Sequence, residues 1–334
     1  MKKLFLSLIA VVAGAMSCYA QDDLVATLSH GSNLTTYIGA DALSEAYSAA
    51  VTGDIITLSS GTFNGVNIEK AITIRGAGMM AMESNGNVPT QISGDVTFNV
   101  PSGSSPITLE GVQMLGAVNL KGEKLAPVNL LKSRFESWFT GYGVLMNAHS
   151  CIFACSLTAA HNYPYNTNTT MNCLNCVIVN AHSEGYHTSV VAKIVATNCD
   201  VYLEGSDNTP YSNYTNCIIT GYIGNPHNLA ESCSANYCVG TGNVFEKIVD
   251  LSNTTVEDYS SIYKTYKGGT PSATEGFELT STAATTYLGD DGKQVGIYGG
   301  TNPFDPTPTN PQVKKFTIDS TTSDGKLKVT INVE

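Results

Sequence analysis

Seven positions in this chain, Val112, Ser133, Cys155, Cys176, Cys199, Cys217 and Cys238, follow one another at a nearly constant interval. The interval is about 20 residues, within the range in which a period marks stacked repeats. Their surroundings repeat with them: Leu131-x-Ser133-x-Phe135, Phe153-x-Cys155-x-Leu157, Leu174-x-Cys176-x-Ile178, Thr197-x-Cys199-x-Val201 and Thr215-x-Cys217-x-Ile219. Alternation of small or apolar residues marks a short strand with one buried face. A unit of that size cannot bury its face alone, so a fixed period means that each unit packs on the next. Asn175, Asn198 and Asn216 stand immediately before three of the cysteines. Asn tolerates the left-handed conformation that a sharp bend between strands requires. The expectation is an all-β chain wound as a parallel β-helix. Cys155, Cys176, Cys199, Cys217 and Cys238 would stack as an inward ladder.

Residues 1–20 read as a secretory signal, with Lys2 and Lys3 before the apolar run Leu4 to Met16 and a small-residue cleavage site at Cys18-Tyr19-Ala20. Ala15-Met16-Ser17 is a poor lipid-anchor signal, so Cys18 is assigned to the cleavage site. The apolar run is too short to span a bilayer, and no other stretch reaches that length. The expected location is the cell exterior or the cell surface.

Loss of Lys2 and Lys3 leaves 15 basic against 28 acidic residues, a net charge of −13. Nucleic-acid binding rests on Lys and Arg neutralising phosphates, so that partner class is excluded. Charged residues make up 13% of the chain, about half the usual share, which suits a solenoid with polar but weakly charged faces.

Eight cysteines remain after the signal. An even count in an exported chain points to disulfides, whereas a ladder of inward small residues points to free thiols. The ladder is the stronger reading, with Cys151 and Cys173 the pair best spaced for a bridge between rungs. Cys173-x-x-Cys176 lacks a second pair at zinc-ligand spacing.

Asp41 to Val51 places Leu43, Ala46, Tyr47 and Ala50 on one helical face, with Asp41 at the N-cap. Such a helix would cap the open first rung. Residues 39–78, from this helix through Thr57-Leu58-Ser59-Ser60-Gly61-Thr62-Phe63 to Ile72-Thr73-Ile74-Arg75-Gly76-Ala77-Gly78, resemble the opening of right-handed parallel β-helix proteins of the pectin-lyase-like superfamily. Phe277-Glu278-Leu279 and Asp291-Gly292-Lys293-Gln294-Val295-Gly296-Ile297-Tyr298-Gly299-Gly300 resemble the close of such domains in secreted Bacteroidota proteins. The resemblance covers roughly residues 30–304. It implies the fold and leaves the activity open, because the superfamily hosts lyases, hydrolases, adhesins and binding proteins. The expected divisions are a signal at 1–20, the β-helix at 21–302, a Pro-rich linker or extended arm at 303–312, and a tail at 313–334. In that tail, Val313 to Ile318 and Leu327 to Val333 alternate around Ser323-Asp324-Gly325, a hairpin signal.

Lyases of this superfamily use a Lys or Arg base, with calcium on acidic residues neutralising the uronate. The resemblance would then give Lys193 or Arg134 the base role and Asp200, Glu204 or Asp207 the calcium. Arg134 is expected to point outward near Glu136 and Trp138, and Asp200 to face solvent between inward Cys199 and Val201. Solvated surface charge is the competing reading for all of them. The clustered Asp pairs of the hydrolase relatives have no counterpart, since Asp290-Asp291 before Gly292 reads as a turn.

His161 and His182 each lie six residues after an expected ladder cysteine, which would place them at equivalent points on adjacent rungs. With His149 and His187 nearby in sequence, they would bind a metal or act on a sugar, or form an ordinary polar stack at a turn. Tyr163, Tyr165, Glu184, Tyr186, Glu204 and Asp207 add ring faces and polar groups suited to sugar hydroxyls. The leading expectation is a monomeric binding protein for carbohydrate or another surface ligand, without catalysis and with no certain cofactor, calcium entering only with the lyase reading. A polysaccharide lyase or glycoside hydrolase on a uronate-containing or host glycan is the second reading, and a structural or adhesive module the third.

Overall fold

The computed structural model describes residues 24–80, 88–120, 125–160, 168–184, 192–203, 211–221, 228–249, 252–267 and 276–309, with backbone only for 181–184. It also describes the backbone of Val313–Ile318 and Val329–Val333. Three sheets, of eleven (A), ten (B) and five (C) strands, enclose a continuous core. One rung runs Leu145–His149 in sheet A, Ile152–Phe153 in sheet B and Leu157–Ala160 in sheet C. Each of these strands pairs in parallel with its counterparts one rung before and after. The chain is therefore a parallel β-helix.

The period-2 alternation sends whole columns inward. Val128, Met146, Met171 and Ile194 line up behind sheet A. Behind sheet B, Phe135 stacks on Phe153 at 5.0 Å between centroids, and Phe139 of sheet C sets its edge against both, at 4.8 and 5.3 Å.

The corner from sheet A to sheet B is a single left-handed residue. Gly111, Lys132, Ser150, Asn175, Asn198, Asn216, Tyr237 and Ser252 occupy it, with φ between 50° and 65°. The three asparagines thus adopt the conformation their position predicts. The ladder residue follows each corner, and here one expectation is corrected. Arg134 pairs with Ile152 and Ile152 with Val177, so Ser133 faces Cys151, and Cys151 faces Cys176. Cys155 lies off the ladder, beyond sheet B. Rung length varies, and the near-constant spacing through Cys155 conceals a short rung followed by a long one.

The ladder position is polar for a physical reason. A left-handed corner takes the next N–H out of the sheet's hydrogen bonding, and a buried N–H needs an acceptor. The Val112 N–H donates to Ser133 Oγ. Those of Cys151, Cys176, Cys199 and Cys217 donate to Sγ of the next rung's cysteine, each at 3.4 Å. Cys238 closes the series on Asn253 Oδ1 at 2.9 Å. All eight cysteines from Cys151 to Cys238 are free, so the expected Cys151–Cys173 bridge is not formed: Cys173 lies behind sheet A, opposite Ala148 and Ala196.

At the N-terminal end, Val25–His30 pairs antiparallel with both Asn33–Ile38 and Ile55–Leu58. Helix α1 (Ala42–Ala49) buries Ala42, Leu43 and Ala46 over this first rung, and Asp41 precedes it without a side-chain cap bond. At the other end, Val313–Ile318 and Val329–Val333 pair antiparallel, with the Ser323-Asp324-Gly325 turn outside the described residues.

Residues 258–267 and 276–309 stay against the solenoid. Tyr259, Ile262, Tyr263, Phe277, Leu279, Val295 and Ile297 form a second apolar layer against Ile152, Val177, Ile218 and Val239 on the outer face of sheet B. From Gly289 the chain runs back along the left-handed corners as a strap. Asn216 Nδ2 donates to Asp290 Oδ1 (2.7 Å) and Asn175 Nδ2 to the carbonyls of Ile297 and Gly299 (2.7 and 2.9 Å). Further on, Lys132 Nζ donates to Asp305 Oδ2 and to the Thr307 carbonyl, each at 2.7 Å. Thr309 then donates to Glu110, a buried carboxylate that also pairs with Arg75. Residues 303–309 are thus an extended arm held on the corners.

Candidate ligand-binding groove

Sheet A keeps an open outer face. One outward row is Asn129, Asn147, Asn172, Val195, Asn213 and Ser234, and the next is Leu131, His149, Leu174, Thr197, Thr215 and Asn236. The asparagines bond to one another across the rungs. Asn172 Nδ2 donates to Asn147 Oδ1 (3.0 Å), and Asn147 Nδ2 to Asn129 Oδ1 (3.1 Å). An amide offers two N–H donors and two lone pairs, so Asn147 keeps one of each for a ligand after its two ladder bonds.

Beside this ladder the strap forms a wall, where His149 Nε2 meets the Asn302 carbonyl at 3.4 Å. Floor and wall enclose a groove of about 630 Å³ with Leu131, Leu174 and Val195 as its apolar surface. His149 is the one imidazole among the lining residues, which otherwise carry amide, hydroxyl, thiol or aliphatic side chains. Lys193 sits on the same outer face, opposite Thr170 and two positions from Val195.

The lyase constellation is split by the fold. Arg134 and Asp200 project from sheet B, a different face from Lys193. They lie three rungs apart in one column, Arg134–Ile152–Val177–Asp200, which is about 14 Å at the usual strand spacing. Arg134 does point outward, and it bonds Glu136 at 2.5 Å, but it is only 3% exposed. Asp200 also points outward, yet it is 4% exposed instead of facing solvent. The strap and the layer around Tyr263 cover it, an arrangement no local pattern announces. Burial holds its carboxyl well above the usual carboxylate range, although the Ile297 N–H pulls the other way.

The expected histidine pair is also corrected. His182 lies opposite Thr158, not His161, because Cys155 is not the ladder residue from which both were counted. The side chains of His182 and Glu184 lie outside the description. So do His161, Tyr163, Tyr165, Tyr186, His187, Glu204 and Asp207 altogether. Cys155 neighbours Glu136 beyond sheet B, and its thiol is pushed up to about 12 by burial and then by the Glu136 charge. Asp290 and Asp291 form the expected turn, with Asp291 accepting from the Lys293 N–H at 3.0 Å.

Sequence reasoning passed over Asn129, Asn147 and Asn172 as a site, and it noted His149 only as a neighbour of the histidine pair. Their signal was present as matched register, Asn at the same point of three successive sheet A strands, but variable rung lengths hide it from a fixed-period reading. No helix among the described residues is long and apolar enough to cross a membrane. No family model, curated protein or solved structure matches this chain.

Proposed function

We propose that this chain is an exported or surface-held β-helix protein that binds a neutral polysaccharide along the open face of sheet A without turning it over. The groove between the asparagine ladder and the strap carries the reading. Three amides repeat at the rung spacing of about 4.8 Å, so the ligand they suit is a polymer running along the solenoid axis, with hydroxyls at regular intervals. Leu131, Leu174 and Val195 supply the apolar surface on which the C–H faces of sugar rings pack. Amides and aliphatic groups make up most of the lining, with His149 its one imidazole and Lys193 outside it on the same face, which favours an uncharged glycan over a uronate. The resemblance to the pectin-lyase-like superfamily and the leader-like segment 1–20 agree with an exterior role among glycans.

The test is affinity electrophoresis and calorimetry of the purified chain against neutral and acidic polysaccharides, with reducing ends and unsaturated products followed in the same samples. Retardation by a neutral glycan, weakened about tenfold by Asn147→Ala, is the expected result. Turnover of any glycan, or binding indifferent to Asn147, would sink the reading.

A further inference from the structure

Three buried oxygens under the strap have no hydrogen-bond partner among the described residues: Asn175 Oδ1, Asn198 Oδ1 and Asp200 Oδ2. Their residues are 0, 5 and 4% exposed. The register sets Asn175 opposite Asn198 on neighbouring rungs, and Asp200 opposite Val177 two residues further on. One strap segment, 296–300, covers all three. The Ile297 N–H donates to Asp200 Oδ1 at 3.3 Å, while the Ile297 and Gly299 carbonyls take both bonds of the Asn175 amide. Gly296 and Gly300, at φ 80° and 75°, let the backbone come this close. A Cβ on Gly300 would lie 2.1 Å from Asn198 Nδ2.

The orientation of Asn175 is fixed, because two carbonyls can only accept, and its Oδ1 is therefore left as an acceptor. An unmatched buried acceptor is costly, and three at one interface call for a common partner. Tyr263 is a hydrogen-bonding neighbour of the Asp200 carboxylate, yet Oδ2 itself has no partner of good geometry among the described residues. The set is all oxygen (one carboxylate and two amides), with strap carbonyls close by. Oxygen sets of this kind are what hard cations select.

We propose that a hard, oxygen-ligated cation is held beneath the strap by Asn175, Asn198 and Asp200 and clamps the strap to the solenoid corner. The single carboxylate balances a monovalent ion in full, whereas a divalent ion leaves one positive charge over. Sodium is thus the better charge match, and calcium the ion that oxygen ligands hold more strongly. The site lies on the sheet B side of the corner and its test uses no glycan, so its outcome is read separately from that of glycan binding.

The experiment is thermal unfolding and limited proteolysis of the whole chain at fixed ionic strength in choline chloride, with sodium or calcium chloride substituted. One of the two metal salts is expected to raise Tm by roughly 4 °C at a hundredfold excess over Kd and to slow cleavage within 296–309. Asp200→Asn should abolish both effects. Equal Tm in all three salts would overturn the proposal and leave a proton or water as the partner. A cation effect that survives in Asp200→Asn would overturn it as well. Should that variant fail to fold, sodium NMR line width and calcium calorimetry on the wild-type chain decide, and no binding in either overturns it.

Discussion

The backbone N–H of Cys217 donates to Sγ of Cys238 one rung further on, and that thiol donates back to the carbonyl of Asn236. Each ladder cysteine thus joins two rungs, accepting from the rung before and donating within its own. The contact is weaker than an oxygen-centred hydrogen bond, but its alternative is a buried N–H with no acceptor. Ser133 makes the same pair of bonds through Oγ, to the Val112 N–H and the Leu131 carbonyl. The position therefore selects a small donor–acceptor side chain and not sulfur as such.

Replacing the acceptor while keeping the volume tests this. Cys217→Val should orphan the Cys199 N–H, cost about 1–3 kcal/mol and lower Tm by a few degrees. Cys217→Ser should lose much less, following the precedent of Ser133. Thermal melts of the two variants side by side decide it, and a valine variant as stable as serine would refute the ladder's polar role.

The strap depends on close approach at Gly300. Its φ of 75° is one that side-chain-bearing residues rarely adopt, and Asn198 already fills the space a Cβ would take. Gly300→Ala should therefore cost about 1–3 kcal/mol and loosen residues 296–309 first. Hydrogen exchange would locate the change, and uniform loss across the solenoid would contradict it.

Asp200 makes strap stability depend on pH in choline medium. Its folded-state pKa is raised by burial, so its contribution is fully present below the unfolded carboxylate pKa of about 3.9. The contribution is lost as pH rises through the raised folded value. Wild type should lose stability as pH climbs from the acid range, and Asp200→Asn should flatten that slope. Urea melts across pH 4–8 measure it, and parallel slopes for the two proteins would refute the assignment.

The solenoid is legible in the sequence because its signals are local. Alternating strands and a left-handed Asn before a small residue need no knowledge of the rest of the chain. Cys155 misleads because a fixed count assumes rungs of equal length, whereas the step from Ser133 to Cys151 is clearly shorter than the step from Cys151 to Cys176. Asp200 misleads for another reason. Alternation fixes that it points outward, but whether outward means water depends on residues 258–267 and 276–304, which lie against sheet B from far along the chain. The groove needs both kinds of information, since its amides align only once the register is known and its wall comes from the strap.

Within the groove, the amide ladder and the aliphatic row should contribute separately. Asn147 bonds to both neighbouring asparagines, so Asn147→Ala removes a ligand contact and also frees Asn129 and Asn172 to turn. Leu174→Ala removes apolar surface on the next row and leaves the ladder untouched. Each should weaken neutral-glycan binding about three- to tenfold. The double variant should lose close to the product of the two, because the side chains serve different faces of the sugar. Calorimetric titration of the four proteins of this cycle gives the coupling directly. A double variant no weaker than Asn147→Ala alone would mean that the leucine row does not touch the glycan and that the ligand lies elsewhere on the ladder.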